Sequence, residues 1–91
     1  MPIDTGDLTD KTYEAIMMEA EIFDHNLTLQ FGLLSYECND EPDFISKSKQ
    51  LIVEMFSYDM VDIDDMFFGE PPAKKDFHKA LNKILNDISA L

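Results

Sequence analysis

The stretch from Thr9 to Cys38 constrains this chain more than any other, because it reads as helix with apolar residues on two opposite sides. At about 100° per residue, Tyr13, Ile16, Ala20, Phe23, Leu27, Phe31, Leu34 and Cys38 fall in one stripe roughly 80° wide. Met18, Ile22, Leu29, Leu33 and Tyr36 form a narrower stripe almost diametrically opposite. A surface helix needs one apolar side, so a second predicts cover from elsewhere in the chain or from another molecule. These five residues are the candidate interaction surface.

The main stripe keeps its phase across the polar triplet Asp24-His25-Asn26, from Phe23 to Leu27 to Phe31. That continuity predicts one long first helix over about residues 9–37, after an irregular lead-in at 1–8. The competing arrangement restarts a second helix at Asp24 or Asn26 and orients the two halves independently. Gly32 costs a helix up to about 1 kcal/mol relative to alanine, so close approach of a neighbouring helix is expected there.

Asn39 to Asp43 is a turn by composition, and Pro42 suits the start of a second helix, about 42–58. Phe44, Ile45, Leu51, Ile52, Met55, Phe56 and Tyr58 give that helix one broad apolar face. Asp62 is a candidate cap for a short helical turn at about 62–68, with Phe67 and Phe68 expected to pin it to the core. Pro71 and Pro72 lead into a third helix, about 72–90, whose stripe is Phe77, Ala80, Leu81, Ile84, Leu85, Ile88 and Leu91. The predicted fold is a single all-α domain, a small antiparallel bundle of three principal helices.

The 91 residues carry 19 acids and seven lysines, giving a formal charge of -12 and no arginine. Such a surface repels nucleic acid and anionic membrane, and it lacks the bidentate guanidinium contacts of phosphate readers. The acids concentrate in residues 1–24, 37–43 and 59–70, whereas 44–58 and 71–91 are mildly basic. Attraction between elements of one chain accounts for this pattern, and Lys74 and Lys75, at a helix start, predict carboxylates nearby. The candidate acidic surface is Asp59, Asp62, Asp64, Asp65 and Glu70.

One cysteine, Cys38, allows no internal disulfide, and no secretory leader or membrane-length apolar run is visible. A cytoplasmic address is the simplest expectation. Asp59 to Asp65 fits no register of a calcium loop, because Met66 and Phe67 fall where a ligand and the glycine belong. Glu21 and His25 are four apart and His78 could add a ligand, but the Glu-x-x-His spacing of carboxylate-bridged bundles is missing. Cys38 continues the main stripe, as a buried small hydrophobe does, and neither a phosphate loop nor a nucleophile elbow occurs. No metal, cofactor or catalytic residue is therefore assigned.

The expected function is protein–protein interaction without catalysis, with a homodimer through Met18, Ile22, Leu29, Leu33 and Tyr36 as its first form. The alternative is an acidic regulator that mimics nucleic acid on a basic protein, and a metal-dependent enzyme is the distant third. If the later helices clasp the first from both sides, the second stripe is core and no partner is needed.

Overall fold

The polar triplet decides the architecture. In the computed structural model, which describes residues 3–91, the predicted long first helix is broken at Asp24, whose φ of -168° and ψ of 137° are extended. The Asp24 backbone N–H still donates to the Ala20 carbonyl at 2.8 Å, closing the helix before it. Its carboxylate accepts from the Asn26 backbone N–H at 2.8 Å and from the Asn26 amide at 2.9 Å, opening the helix after it. An aspartate that satisfies an orphan N–H this way competes with helix continuation, which periodicity alone does not register. The main stripe keeps its phase because both halves turn it toward one core.

The first of these helices, α1, spans residues 10–23 and contains a π-helical turn, Glu14–Met18. Thr9 caps it, its hydroxyl accepting from the Thr12 backbone N–H at 3.3 Å, while its own N–H donates to Glu41 at 2.6 Å. The wider π turn lets three consecutive residues, Ala15, Ile16 and Met17, reach the interior. It also shifts the apolar phase by one residue upstream: Thr12 is buried and Tyr13, expected on the stripe, is exposed. The second helix, α2, runs His25–Ser35.

The lead-in is better ordered than expected, apart from Met1 and Pro2, which lie outside the described residues. Asp4 caps a 3₁₀ turn, Thr5–Asp7, between two buried apolar residues, Ile3 and Leu8. Ile3 donates its N–H to the Cys38 carbonyl at 2.8 Å, fastening the segment beside the end of α2.

Helix α3, Glu41–Phe56, is capped by Asp40, which accepts from the Asp43 N–H at 2.9 Å. The short α4, Met60–Met66, begins two residues earlier than predicted because Asp59, not Asp62, is the cap. The two form a reciprocal capping box, with bonds of 3.0 Å and 3.1 Å. Gly69, with φ of 84°, turns the chain before Pro71 and Pro72 extend it into α5, Lys74–Ser89.

Helix α1 packs on α2 and α5, and α3 packs on the same two, so four helices close a ring around the core. The break at Asp24 is what turns the predicted three principal helices into four. Phe31, Phe44, Ile52, Ile63, Phe77, Leu81 and Ile84 fill the interior. Phe23, Phe67 and Phe77 form an aromatic triangle with centroids 5.6 to 6.2 Å apart. The radius of gyration, 12.5 Å, is close to the roughly 12 Å expected of a compact domain of this length. No strand occurs among the described residues.

Candidate functional site

The two apolar stripes have opposite fates. Ile16, Ala20, Leu27, Phe31 and Cys38 of the main stripe are buried. The second stripe is open: Ile22 is 76% exposed, Tyr36 73%, Leu33 63%, Met18 46% and Leu29 44%. Residues 44–91 do not clasp it from the far side.

The bend at Asp24 also divides it. Leu29, Leu33 and Tyr36 share a groove of about 570 Å³ with Gly32 and Ser35 of α2 and with Ile3, Asp4 and Thr5 of the lead-in. That volume lies within the roughly 300–1,000 Å³ of ligand-sized clefts. Ile22 lies instead in a shallower depression against α5, with Phe23, Ala80, Lys79, Lys83, Glu19 and Asp76. Met18 lines neither. Sequence spacing named the five residues, but the structure brings only three of them together.

Two groove residues were missed or misread from the sequence. Ile3 belongs to the wall because its backbone is bonded to Cys38, a contact that no local periodicity announces. Gly32 has no close neighbour: a Cβ built there meets nothing within 4 Å, so the expected neighbouring helix is not there. Ser35 turns its hydroxyl back onto the Gly32 carbonyl at 2.5 Å, which leaves the groove floor without a projecting polar group.

The groove itself is nearly free of charge. Helix α2 has no acid and no lysine, whereas every other helix has at least three charged residues. Asp4 is in the groove wall and no lysine lines it. Glu37 follows Tyr36 and is exposed, and its carbonyl accepts from the Lys47 ammonium at 3.0 Å, so this end of α2 has a charge of each sign. At the far end of α2, Glu21 and His25 are in contact at 2.9 Å, and the His25 ring holds the Glu21 carboxyl below its ordinary range.

The candidate acidic surface separates into two kinds of carboxylate. Asp59 and Asp62 are engaged in the capping box, and the Asp62 N–H holds the Asp59 carboxyl below its usual range. Lys74 adds a smaller attraction to Asp59, the looser form of the expected pairing across the connector. Asp64, Asp65 and Glu70 are exposed and face solvent. Phe67 pins the connector as expected, but Phe68 is 84% exposed because the chain turns outward after the end of α4.

Cys38 and His78 both pack against their neighbours in the fold. Cys38 is buried, donates to the Leu34 carbonyl at 3.3 Å, and burial pushes its thiol up, away from the reactive thiolate. His78 packs edge-on against Phe56 at 5.1 Å between centroids. Among the described residues no three of His, Cys, Asp and Glu gather to hold a metal, and no helix is long and apolar enough to cross a membrane.

Comparison with known proteins gives no relative: no family model, curated protein or solved structure matches this chain.

Proposed function

We propose that this protein is a non-enzymatic interaction module that takes a basic, amphipathic helical segment of another protein in the groove along α2. The observation that carries the reading is the exposure of Leu29, Leu33 and Tyr36 on the one long helix without charge, in a chain of net charge -12. Contact cores are depleted of charged residues, whereas their rims keep them. Asp4 in the wall is a rim residue of this kind and attracts lysine or arginine, whereas Glu37 beside the end of α2 already has the Lys47 ammonium on its carbonyl at 3.0 Å. Leu29, Leu33 and Tyr36, four and three residues apart, share one face of α2 and give the anchors of an incoming amphipathic helix an apolar edge to pack on. The buried thiol suits a reducing compartment, and the reading takes the cytoplasm as its address.

The homodimer is a second reading, favoured by the same absence of charge on α2, since two copies could meet there without desolvating a carboxylate. Salt separates the two occupants. A basic partner is held partly by attraction and is lost as salt rises, whereas two chains of -12 repel and associate better in high salt. The acidic connector lends less to a nucleic-acid mimic, because Asp59 and Asp62 are committed to capping.

The test is affinity capture from the native host at low and high salt, beside light scattering of the purified protein. Wild type should retain basic proteins at low salt and release them at high salt, and Leu29→Glu with Leu33→Glu should retain none. Equal capture by the double variant would sink the groove. A mass that doubles in high salt, and reverts in the double variant, would replace the basic partner with the homodimer.

A further inference from the structure

The depression between α1 and α5, about 420 Å³, differs from the α2 groove in having charge of both signs at its edges. Phe23 and Ala80, both half-buried, are its floor, and Ile22, 76% exposed, stands beside them. Glu19 lies on the α1 side, and Lys79 and Lys83 on the α5 side. Glu19 and Lys79 do not meet: among the described residues three ion pairs form, and neither residue is in them. Lys83 is held only by Asp87 of the same helix at 3.2 Å, an exposed pair of little worth.

The two helices also differ in net charge. In α5 four lysines against two aspartates give +2, the only positive helix among the described residues, whereas in α1 four acids against Lys11 give -3. They run antiparallel, since Phe23 stacks on Phe77 at 6.2 Å toward one end and Ala15 shares a shallow depression with Asp87 toward the other. Glu19 and Ile22 therefore lie level with the turn of α5 from Lys79 to Lys83. A twofold axis along the helices keeps every residue at its level and exchanges α1 with α5. It lays the acidic helix of one copy on the basic helix of the other, twice.

We infer that this face is a self-association surface whose occupant is a second copy of the chain. Ile22 of each copy seats over the small Ala80 of the other, and Glu19 of each meets Lys79 of the other. Charge selects the occupant. Acid on one edge and lysine on the other give a partner of single sign as much repulsion as attraction, but they complement their own rotated image. In a chain of net charge -12, this is also where carboxylates of a second copy approach a positive helix. Lys83 has three N–H donors and can add Glu19 of the other copy without releasing Asp87. The α2 groove stays open in this pairing, which does not rest on the docking reading above.

Sedimentation equilibrium over a micromolar to millimolar series tests the pairing by exchanging its charges. Wild type should approach twice the monomer mass. Glu19→Lys and Lys79→Glu should each weaken self-association by about tenfold or more, because like charges then meet at both contacts. An equal mixture of the two variants should dimerise as wild type does, since the new lysine meets the new glutamate and the two unchanged residues still pair. A variant that had lost its fold could not be rescued in this way. Leu33→Glu should leave the mass unchanged. A wild type that stays monomeric throughout, single variants that associate like wild type, a mixture that stays monomeric, or a dimer lost in Leu33→Glu would each overturn the α1–α5 interface.

Discussion

Phe31 and Leu33 are two residues apart on the same helix, yet one is wholly buried and the other is 63% exposed. The first belongs to a face that α1 and α3 cover, and the second to a face that nothing in the chain covers. Hydrophobicity is comparable on the two sides, so it does not determine which is core. The torsions of Asp24 do: they fold α2 back onto the middle of α1 and leave the other face outward. The lesson is that a two-sided apolar helix states a demand for cover without saying who supplies it.

Truncating each face separates the two most directly. Phe31→Ala should destabilise the chain by about 3–5 kcal/mol in urea unfolding, because it opens a cavity among fully buried neighbours. Leu33→Ala should stay within about 0.5 kcal/mol of wild type. Comparable losses from the two substitutions would mean that the outer face is covered after all.

A smaller effect sharpens how the faces are assigned. Asp24→Ala removes the carboxylate that caps α2 and should cost about 1 kcal/mol, seen as a lower urea midpoint. Asp24→Asn, which still offers an oxygen to the Asn26 N–H, should recover most of it. Equal losses in both variants would show that the bend is held by packing and not by its cap.

The smallest effect belongs to acid. Asp43 is held low first by the Asn39 N–H and then by Lys47, and Asp59 first by the Asp62 N–H. A carboxyl whose folded pKa is depressed adds stability above its unfolded pKa and loses it as pH falls through the folded value. The starts of α3 and α4 should therefore loosen below about pH 4, before the interior of α2, which has no carboxylate of its own. Amide exchange followed by NMR between pH 5 and 3 should show protection lost first at Asp43, Phe44, Asp62 and Ile63, the first bonded amides of the two helices. Earlier loss at residues 27–31 would reverse the ranking.

Much of this was legible in residue spacing. The stripe of α5 gave Phe77, Leu81, Ile84 and Ile88, all buried, and the broad face of α3 gave Phe44, Ile52 and Met55. Periodicity reports which residues share a side, and that is a local property. It did not report the break at Asp24, where a side-chain hydrogen bond overrides a phase that looks unbroken. It placed Tyr13 inside and passed over the buried Thr12, because an ideal helix has no π turn. Of the candidate groove, Leu29, Leu33 and Tyr36 were named in advance, whereas Ile3 depends on a contact 35 residues away along the chain, through Cys38. Gly32 was noticed for a neighbour it does not have.

The π turn of α1 has a consequence for chain length. A π turn holds one residue more than an α-helix of the same rise, so Glu14–Met18 behaves as an insertion absorbed within the helix. Thr12 is buried on one side of it and Ala20 on the other, each in register with the core. One residue can be lost between them and the helix closes into ordinary α geometry, with both ends keeping their inward faces. The domain thus holds a spare residue in the middle of a helix packed on two others, where insertions and deletions are usually least tolerated.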